Sequence, residues 1–365
     1  MKNFGFGCMR LPMQADEIDL EQFKKMVDRF LAEGFTYFDT AHGYHSGKSE
    51  IAVREGLVKR YPRDAYLLTD KLTENYFDCE GDIIPFCESQ LEITGAGYFD
   101  YYLLHSLTRE NYRKFVRCRA FDAAVKLKEA GKIRHIGISF HDKADLLSEI
   151  LSTYPQIETV QIQFNYMDYD DPGIESRKVY EVCRKFGKPV IVMEPVKGGG
   201  LVNLPEAAGQ ILDQLNGGSY ASYAIRYAAS FEGVFMVLSG MSTLEQLEDN
   251  ISYMKHFQPL SEKEFDAIDR VREFLHGQDI IPCTACRYCV DGCPKNIPIP
   301  ELFSCMNAKK QYKDWNSDFY YSVHTEKGGR ASDCIKCGKC ERVCPQHLKI
   351  RDLLVDVAAV FDAKE

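Results

Sequence analysis

Tyr66-Leu67-Leu68-Thr69-Asp70-Lys71 is a short apolar run that closes on two charged residues. Its length and its aromatic and β-branched content suit a buried strand better than a helix. Thr36–Asp39 lies upstream of it and Tyr101–His105 downstream. Counting from Asp39 to Lys71, to His105 and to Ser139 gives steps of 32, 34 and 34 residues, the length of one strand–helix unit. His135–Ser139, Thr159–Gln163, Val190–Glu194 and Val234–Ser239 continue the series, and Phe6–Arg10 is a candidate first member. Near-continuous apolar strands separated by helices indicate a parallel sheet covered on both faces. Leu20, Phe23, Met26, Val27, Phe30 and Leu31 recur at steps of three and four, as do Leu244, Leu247 and Ile251. That spacing is the stripe of an amphipathic helix. Eight such units in roughly 250 residues predict an α/β fold, a (β/α)8 or TIM barrel. An open doubly wound sheet is the alternative. For a dinucleotide it uses an early G-x-G-x-x-G turn, which this sequence lacks.

Ser261 and Glu264 have capping-box spacing for a helix running to about His276, with Gly277 placed to end it. The expected domains are therefore 1–276 and 277–365, in keeping with about 100–200 residues per domain. Beyond the boundary lie two matching runs, Cys283-Thr-Ala-Cys286-Arg-Tyr-Cys289-Val-Asp-Gly-Cys293-Pro294 and Cys334-Ile-Lys-Cys337-Gly-Lys-Cys340-Glu-Arg-Val-Cys344-Pro345. Three thiolates at steps of three wrap three corners of one cubane, and the fourth reaches the neighbouring cluster. Cys283, Cys286, Cys289 and Cys344 are thus assigned to one [4Fe–4S] cluster, and Cys334, Cys337, Cys340 and Cys293 to the other. Zinc sites usually use pairs of C-x2-C instead. The segment resembles bacterial two-cluster ferredoxins, which implies a small, mostly α-helical ferredoxin-like 2[4Fe–4S] domain. The aromatic group Tyr312, Trp315, Phe319, Tyr320 and Tyr321 between the runs reads as its core. Cys8, Cys79, Cys87, Cys118, Cys183 and Cys305 are scattered and read as small buried residues.

Hydrophobic residues make up 45% and charged residues 27% of the 365, which excludes disorder over most of the length. Residues from 277 onward carry 13 Lys/Arg against 12 Asp/Glu, a net +1, so −10 of the total −9 falls on residues 1–276. A balance of that sign speaks against nucleic-acid binding, which needs a basic face. No apolar run approaches the roughly 18–20 residues of a membrane span. The opening MKNFGFGCMRLP lacks the apolar region of a signal peptide. Grouped cysteines fit a reducing compartment, so a cytoplasmic protein with neither membrane nor nucleic-acid partner is expected.

In a parallel barrel the chemistry collects at the C-terminal ends of the strands. Here those ends carry Asp39, Lys71 and His105, and Tyr44 sits on the loop after Asp39. An unpartnered buried charge costs several kcal/mol, so Asp39 is expected to pair with Lys71, and Lys71 to sit against Tyr44. A neighbouring ammonium favours the phenolate and lowers the Tyr44 pKa from about 10, which would suit a general acid. His105 can donate to a carbonyl oxygen held beside Tyr44. His42, His45 and His141 fall on loops that should border the mouth.

FDTAHGY (38–44), LLTDK (67–71), YYLLH (101–105), GKIRHIGIS (131–139), VQIQFNY (160–166) and QLEDN (246–250) occur in this order. Over residues 3–256 the chain resembles the aldo-keto reductase family, and as a whole its iron–sulfur-containing members. The resemblance implies a catalytic tetrad of Asp39, Tyr44, Lys71 and His105. It also implies NADPH or NADH across the barrel mouth, and hydride exchange between an aldehyde or ketone and an alcohol, with Tyr44 as proton donor. Ser139 and Gln161 match the residues that hold the carboxamide, although Phe140 replaces a usual Asn. Met193 stands where many members stack a Tyr on the nicotinamide. Gly198 and Gly199 after the seventh strand, and Gly240 and Ser242 after the eighth, match phosphate-binding loops. Gln246 and Asn250 match positions near the adenosine, and Ser242 stands where NADPH-preferring relatives often have Arg. The clusters imply electron transfer or a structural role, with a flavoprotein or ferredoxin as a possible electron partner. The alternative function is an electron-transfer or redox-sensing iron–sulfur protein docking such a partner. The intact tetrad argues against it.

Overall fold

The computed structural model describes residues 2–171, 174–215, 217–277, 279–312 and 316–362. The chain divides into two compact units, one of residues 1–196 with 209–269, the other of 197–208 with 270–365. The division falls inside the helix Glu262–His276, a few residues before Gly277. The capping box is present as expected, with Ser261 N–H donating to Glu264 Oε2 at 2.7 Å. A cap marks where a helix starts, whereas compactness records what each of its turns packs on.

The first unit is a closed parallel barrel of β1 Phe4–Gly7, β2 Tyr37–Asp39, β3 Leu67–Leu72, β4 Phe99–Leu107, β5 Ile133–Phe140, β6 Thr159–Gln163, β7 Val190–Met193 and β8 Val234–Gly240. Each strand pairs in parallel with its sequence neighbour, and β1 closes the ring between β2 and β8. Seven of the eight expected runs coincide with strands to within two residues. The first was misplaced: β1 is Phe4–Gly7, and Cys8–Arg10 is a 3-10 turn. Phe6 packs edge-on against Phe23 and Phe30 of helix Leu20–Ala32, with centroids 5.7 and 5.6 Å away. On that helix Phe23, Met26, Val27 and Phe30 are buried, as the stripe requires, while Leu20 and Leu31 lie at its margins.

β4 does not stop at His105. Its register with β5 shifts between Leu104 and Leu107, and Ser106 adopts φ 55°. This bulge re-aims the chain at His105 before the strand resumes. The barrel interior is filled by Tyr37, Ile191, Met236 and Leu238, and even the Tyr37 hydroxyl is satisfied, by Thr69 Oγ1 at 2.6 Å. β5 passes close to its neighbours at Gly137, where a Cβ would lie 2.4 Å from Leu103 Cδ2 and 2.7 Å from Thr159 Cγ2. Gly137→Ala therefore overpacks the wall, and a loss of about 1–3 kcal/mol is expected. It would be read as a lower urea midpoint at unchanged m-value. Wild-type stability in that variant would contradict the packing.

The second unit is mostly helical, with Ile299–Tyr312, Asn316–Thr325 and Ile350–Phe361 as its longer helices. A four-residue helix lies within each cysteine run, Tyr288–Asp291 and Lys339–Arg342. The backbone repeats with the sequence. Positive φ occurs at Ala285 and Lys336, at Arg287 and Gly338, and at Asn296 and His347, each pair offset by 51 residues as Cys283 is from Cys334. Ile297, Ile299, Leu302, Phe303, Ile350 and Leu354 form the core. Of the aromatic group expected there, Tyr321 is buried and stacks on Phe361 at 4.6 Å, whereas Tyr320 is exposed. Trp315 and the side chains of Tyr312 and Phe319 lie outside the described residues. Five of the six scattered cysteines are buried; Cys79 is exposed, because it occupies the N-cap of helix Glu80–Thr94. No helix among the described residues is long and apolar enough to cross a membrane.

Candidate active site and cysteine cavities

At the C-terminal end of the barrel, Lys71 is wholly buried, and its Nζ lies 2.6 Å from Asp39 Oδ1, 2.7 Å from the Thr40 carbonyl oxygen and 3.1 Å from the Tyr44 hydroxyl. An ammonium has three donors, and all three are used here. The Tyr44 oxygen therefore accepts from Lys71, which leaves the phenolic hydrogen to be directed elsewhere. Asp39 Oδ2 accepts from Gln161 Nε2 at 3.0 Å. His105 is edge-on to Tyr44, with ring centroids 5.9 Å apart, and its Nδ1 lies 2.7 Å from Thr73 Oγ1.

The loop that carries Tyr44 is held at both ends. Thr40 N–H donates to the Thr69 carbonyl at 3.0 Å, and Thr40 Oγ1 lies 2.8 Å from Ser49 Oγ, which donates to the Cys8 carbonyl at 3.0 Å. His45 and Ser46 turn through positive φ. His45 Nε2 accepts the Leu11 N–H at 3.1 Å, so this ring is spent on the loop itself. His42 Nδ1 lies 2.7 Å from Glu50 Oε2, and His141 Nε2 is 3.4 Å from Ser139 Oγ.

Burial pushes the Tyr44 phenol well above its ordinary pKa, and the Asp39 and Asp70 carboxylates add to the effect. This reverses the sequence expectation of a lowered value. The ammonium is already neutralised by Asp39 at 2.6 Å, so the phenol meets no net positive field to offset its desolvation. Burial likewise raises Asp39, with Lys71 opposing. Burial lowers His105 well below the usual histidine value, helped by Lys71 and His141, so its ring is neutral near pH 7.

Behind Lys71 lies a group that sequence reasoning missed. Asp70, Glu50 and Gln90 are all fully buried. Asp70 Oδ1 accepts the Lys71 N–H at 2.8 Å, while Gln90 Nε2 lies 3.0 Å from both Asp70 Oδ1 and Glu50 Oε1 and 3.2 Å from the Lys71 carbonyl. Burial, then the Glu50 charge, raise the Asp70 pKa well above its ordinary value. These side chains grip the Lys71 backbone on both its polar groups. The signal was the Asp70-Lys71 dipeptide, whose two side chains must leave a strand on opposite faces.

The remaining expected residues divide into two sets. Ser139 and Gln161 are partners in the β5–β6 register, and Met193 ends β7 opposite Gln163. Ser242 Oγ donates to the Arg10 carbonyl at 2.9 Å and Ser242 N–H to Gln246 Oε1 at 2.7 Å; Asn250 Nδ2 donates to Ser239 Oγ at 2.9 Å. Arg10 also lies across Gly240, whose Cβ would be 3.2 Å from Arg10 Cβ. Gly198 and Gly199 lie within residues 197–208, which group with the cysteine unit. There Gly198, at φ 65°, lets the Thr284 carbonyl approach to 2.3 Å of where a Cβ would stand, and Lys197 Nζ donates to Gln346 Oε1 at 3.0 Å. The glycine pattern alone gives no sign of this close backbone crossing.

In the second unit the eight cysteines ring two cavities. One is lined by Cys283, Cys286, Cys289 and Cys344; the other by Cys293, Cys334, Cys337 and Cys340. Each takes three thiols from one run and the fourth from the other, the arrangement that a pair of cubanes demands. Ile299 lines both cavities.

A parallel barrel with a lysine-bridged tyrosine at its mouth is followed in the chain by a unit whose cysteines ring two cavities. Residues 3–273 match the sequence profile of the aldo/keto reductase family, and residues 282–348 that of a 4Fe-4S dicluster domain. The chain belongs to the aldo/keto reductase family and carries the dicluster domain C-terminally. It is 27% identical to probable aldo-keto reductase 1 of Glycine max over 54% of this chain and 57% of that protein. It is 24% identical to the uncharacterized oxidoreductase YqkF of Bacillus subtilis over 72% and 90%. The crystal structure of an aldo-keto reductase from Klebsiella pneumoniae with NADPH superposes with a TM-score of 0.61 at 22% identity, covering 74% of this chain and 90% of that one. That likeness concerns the fold.

Proposed function

We propose that the protein is a cytoplasmic carbonyl reductase that interconverts an aldehyde or ketone with an alcohol using NADPH or NADH, and that its second unit holds two [4Fe–4S] clusters. The observation that carries the reading is the Lys71 ammonium, which donates to the Tyr44 oxygen with all its hydrogens placed. Tyr44, held neutral by burial, gives its proton to the carbonyl oxygen as negative charge develops there. Lys71 then stabilises the phenolate that results. With the Thr73 hydroxyl donating to Nδ1, the neutral His105 ring carries its hydrogen on Nε2 and offers it to the same oxygen. Asp39 balances the Lys71 charge. Ser139, Gln161 and Met193 would hold the nicotinamide, Gly240 and Ser242 the phosphates, and Gln246 and Asn250 the adenosine. Cys283, Cys286, Cys289 and Cys344 would hold one cluster, and Cys293, Cys334, Cys337 and Cys340 the other. When bound, the nicotinamide supplies a hydride and each cluster a single electron, so a flavoprotein or ferredoxin suits the clusters as electron partner.

Anaerobic purification tests this directly. About eight iron and eight sulfide per chain are expected, with a higher melting temperature in NADPH or NADH and oxidation of that nucleotide by a panel of small aldehydes. Iron-free protein whose melting is unmoved by either nucleotide would refute the proposal.

A further inference from the structure

The residues lining the two cysteine cavities differ in their exposure. Around the first, Arg287 is the one exposed residue of the lining, and it is paired with Glu301. The lining of the second includes Lys295, Ile335, Cys337 and Lys339, all exposed, with Ile335 at 57%. Cys337 is the one exposed member of the eight cysteines. Lys336 lies between Ile335 and Cys337 and is exposed as well. No ion pair ties Lys295, Lys336 or Lys339 among the described residues. Two acids of this stretch are engaged: Glu341 takes Arg351 at 2.7 Å, and Asp333 accepts the Arg330 N–H at 2.8 Å. Residues 334–351 hold five basic side chains against Glu341 alone, in a chain of net charge −9.

An exposed aliphatic side chain beside an uncovered cluster ligand, rimmed by lysines, has the character of a transient docking face. We propose that electrons enter the protein at the second cavity, through the face formed by Ile335 and Cys337, from a small acidic one-electron carrier protein whose carboxylates meet Lys295, Lys336 and Lys339. One electron leaves the carrier and one is gained at the site of Cys293, Cys334, Cys337 and Cys340, with no proton or bond change. The shared wall at Ile299 makes the first cavity the next stop. This rests on the reading that both cavities hold clusters.

The test is anaerobic stopped-flow bleaching of the cluster absorbance of the whole holoprotein, with a reduced acidic flavodoxin as probe. For the wild-type protein the second-order rate should fall about tenfold or more from low to high salt, as electrostatically steered encounters do. Lys336→Glu with Lys339→Glu should lower the low-salt rate by about as much and abolish its salt dependence, while dithionite still bleaches the clusters fully. A wild-type rate indifferent to salt, or a charge-reversed protein reduced as fast as wild type, overturns the docking face and leaves the clusters standing. Wild-type protein that dithionite cannot bleach overturns the cluster reading itself and the docking face with it.

Discussion

Replacing Tyr44 by Phe is expected to slow carbonyl reduction by about 10²–10⁴-fold, with nicotinamide binding unchanged. The variant removes one hydroxyl, keeps the ring edge-on to His105, and leaves Lys71 its bonds to Asp39 and Thr40. It therefore isolates the proton donor. Lys71→Met is a poorer probe, because it strands the buried Asp39 carboxylate, and breaking a buried pair costs about 3–5 kcal/mol of stability. The pKa direction adds a second readout. Tyr44 is held above its ordinary value, so it stays protonated through neutral pH and loses its hydrogen only above the usual tyrosine range, about 10. Reduction should be flat through neutrality and decline only in alkali. Turnover of Tyr44→Phe equal to wild type, measured with an aldehyde at saturating nucleotide, would remove Tyr44 from the mechanism.

The second large effect concerns the crossed cysteines. Cys344 belongs to the second run but lines the cavity of Cys283, Cys286 and Cys289; Cys293 belongs to the first run but lines that of Cys334, Cys337 and Cys340. Cys344→Ala should therefore empty the site of the first run. Adding Cys286→Ala should remove no further iron, whereas adding Cys337→Ala should remove the rest. Non-additivity of this kind marks residues acting as one unit. Iron and sulfide analysis of the two double variants decides it, and the reverse pattern would mean that each run holds its own cluster. Because a small unit of this kind gains much of its folding free energy from bound metal, the protein that loses both sites should also lose the cooperative melting of that unit.

What the sequence made legible follows from what is local. Strand periodicity, the near-constant spacing of Asp39, Lys71 and His105, and the three-plus-one cysteine arithmetic are all properties of short stretches, and they led to the barrel, the Lys71 cluster and the crossed cavities. What stayed hidden depends on pieces far apart in the chain. The bulge at Ser106 and the grip of Asp70, Glu50 and Gln90 on Lys71 appear only once the strands and helices are packed. The position of Gly198 after the seventh strand suggests a phosphate loop, and only packing shows that its conformation also admits the Thr284 carbonyl. The Tyr44 pKa was misjudged by weighing one ammonium against water. In the folded barrel that charge is already matched by Asp39, and desolvation decides the sign.

The most direct measurement of hydride transfer at the barrel mouth uses nicotinamide deuterated at C4, in each of its two stereoisomers, with an aldehyde that the protein reduces. The product alcohol is then examined by mass spectrometry. One stereoisomer should place deuterium on the carbinol carbon and the other should not. Alcohol whose carbinol hydrogen comes from solvent with both stereoisomers would contradict the account.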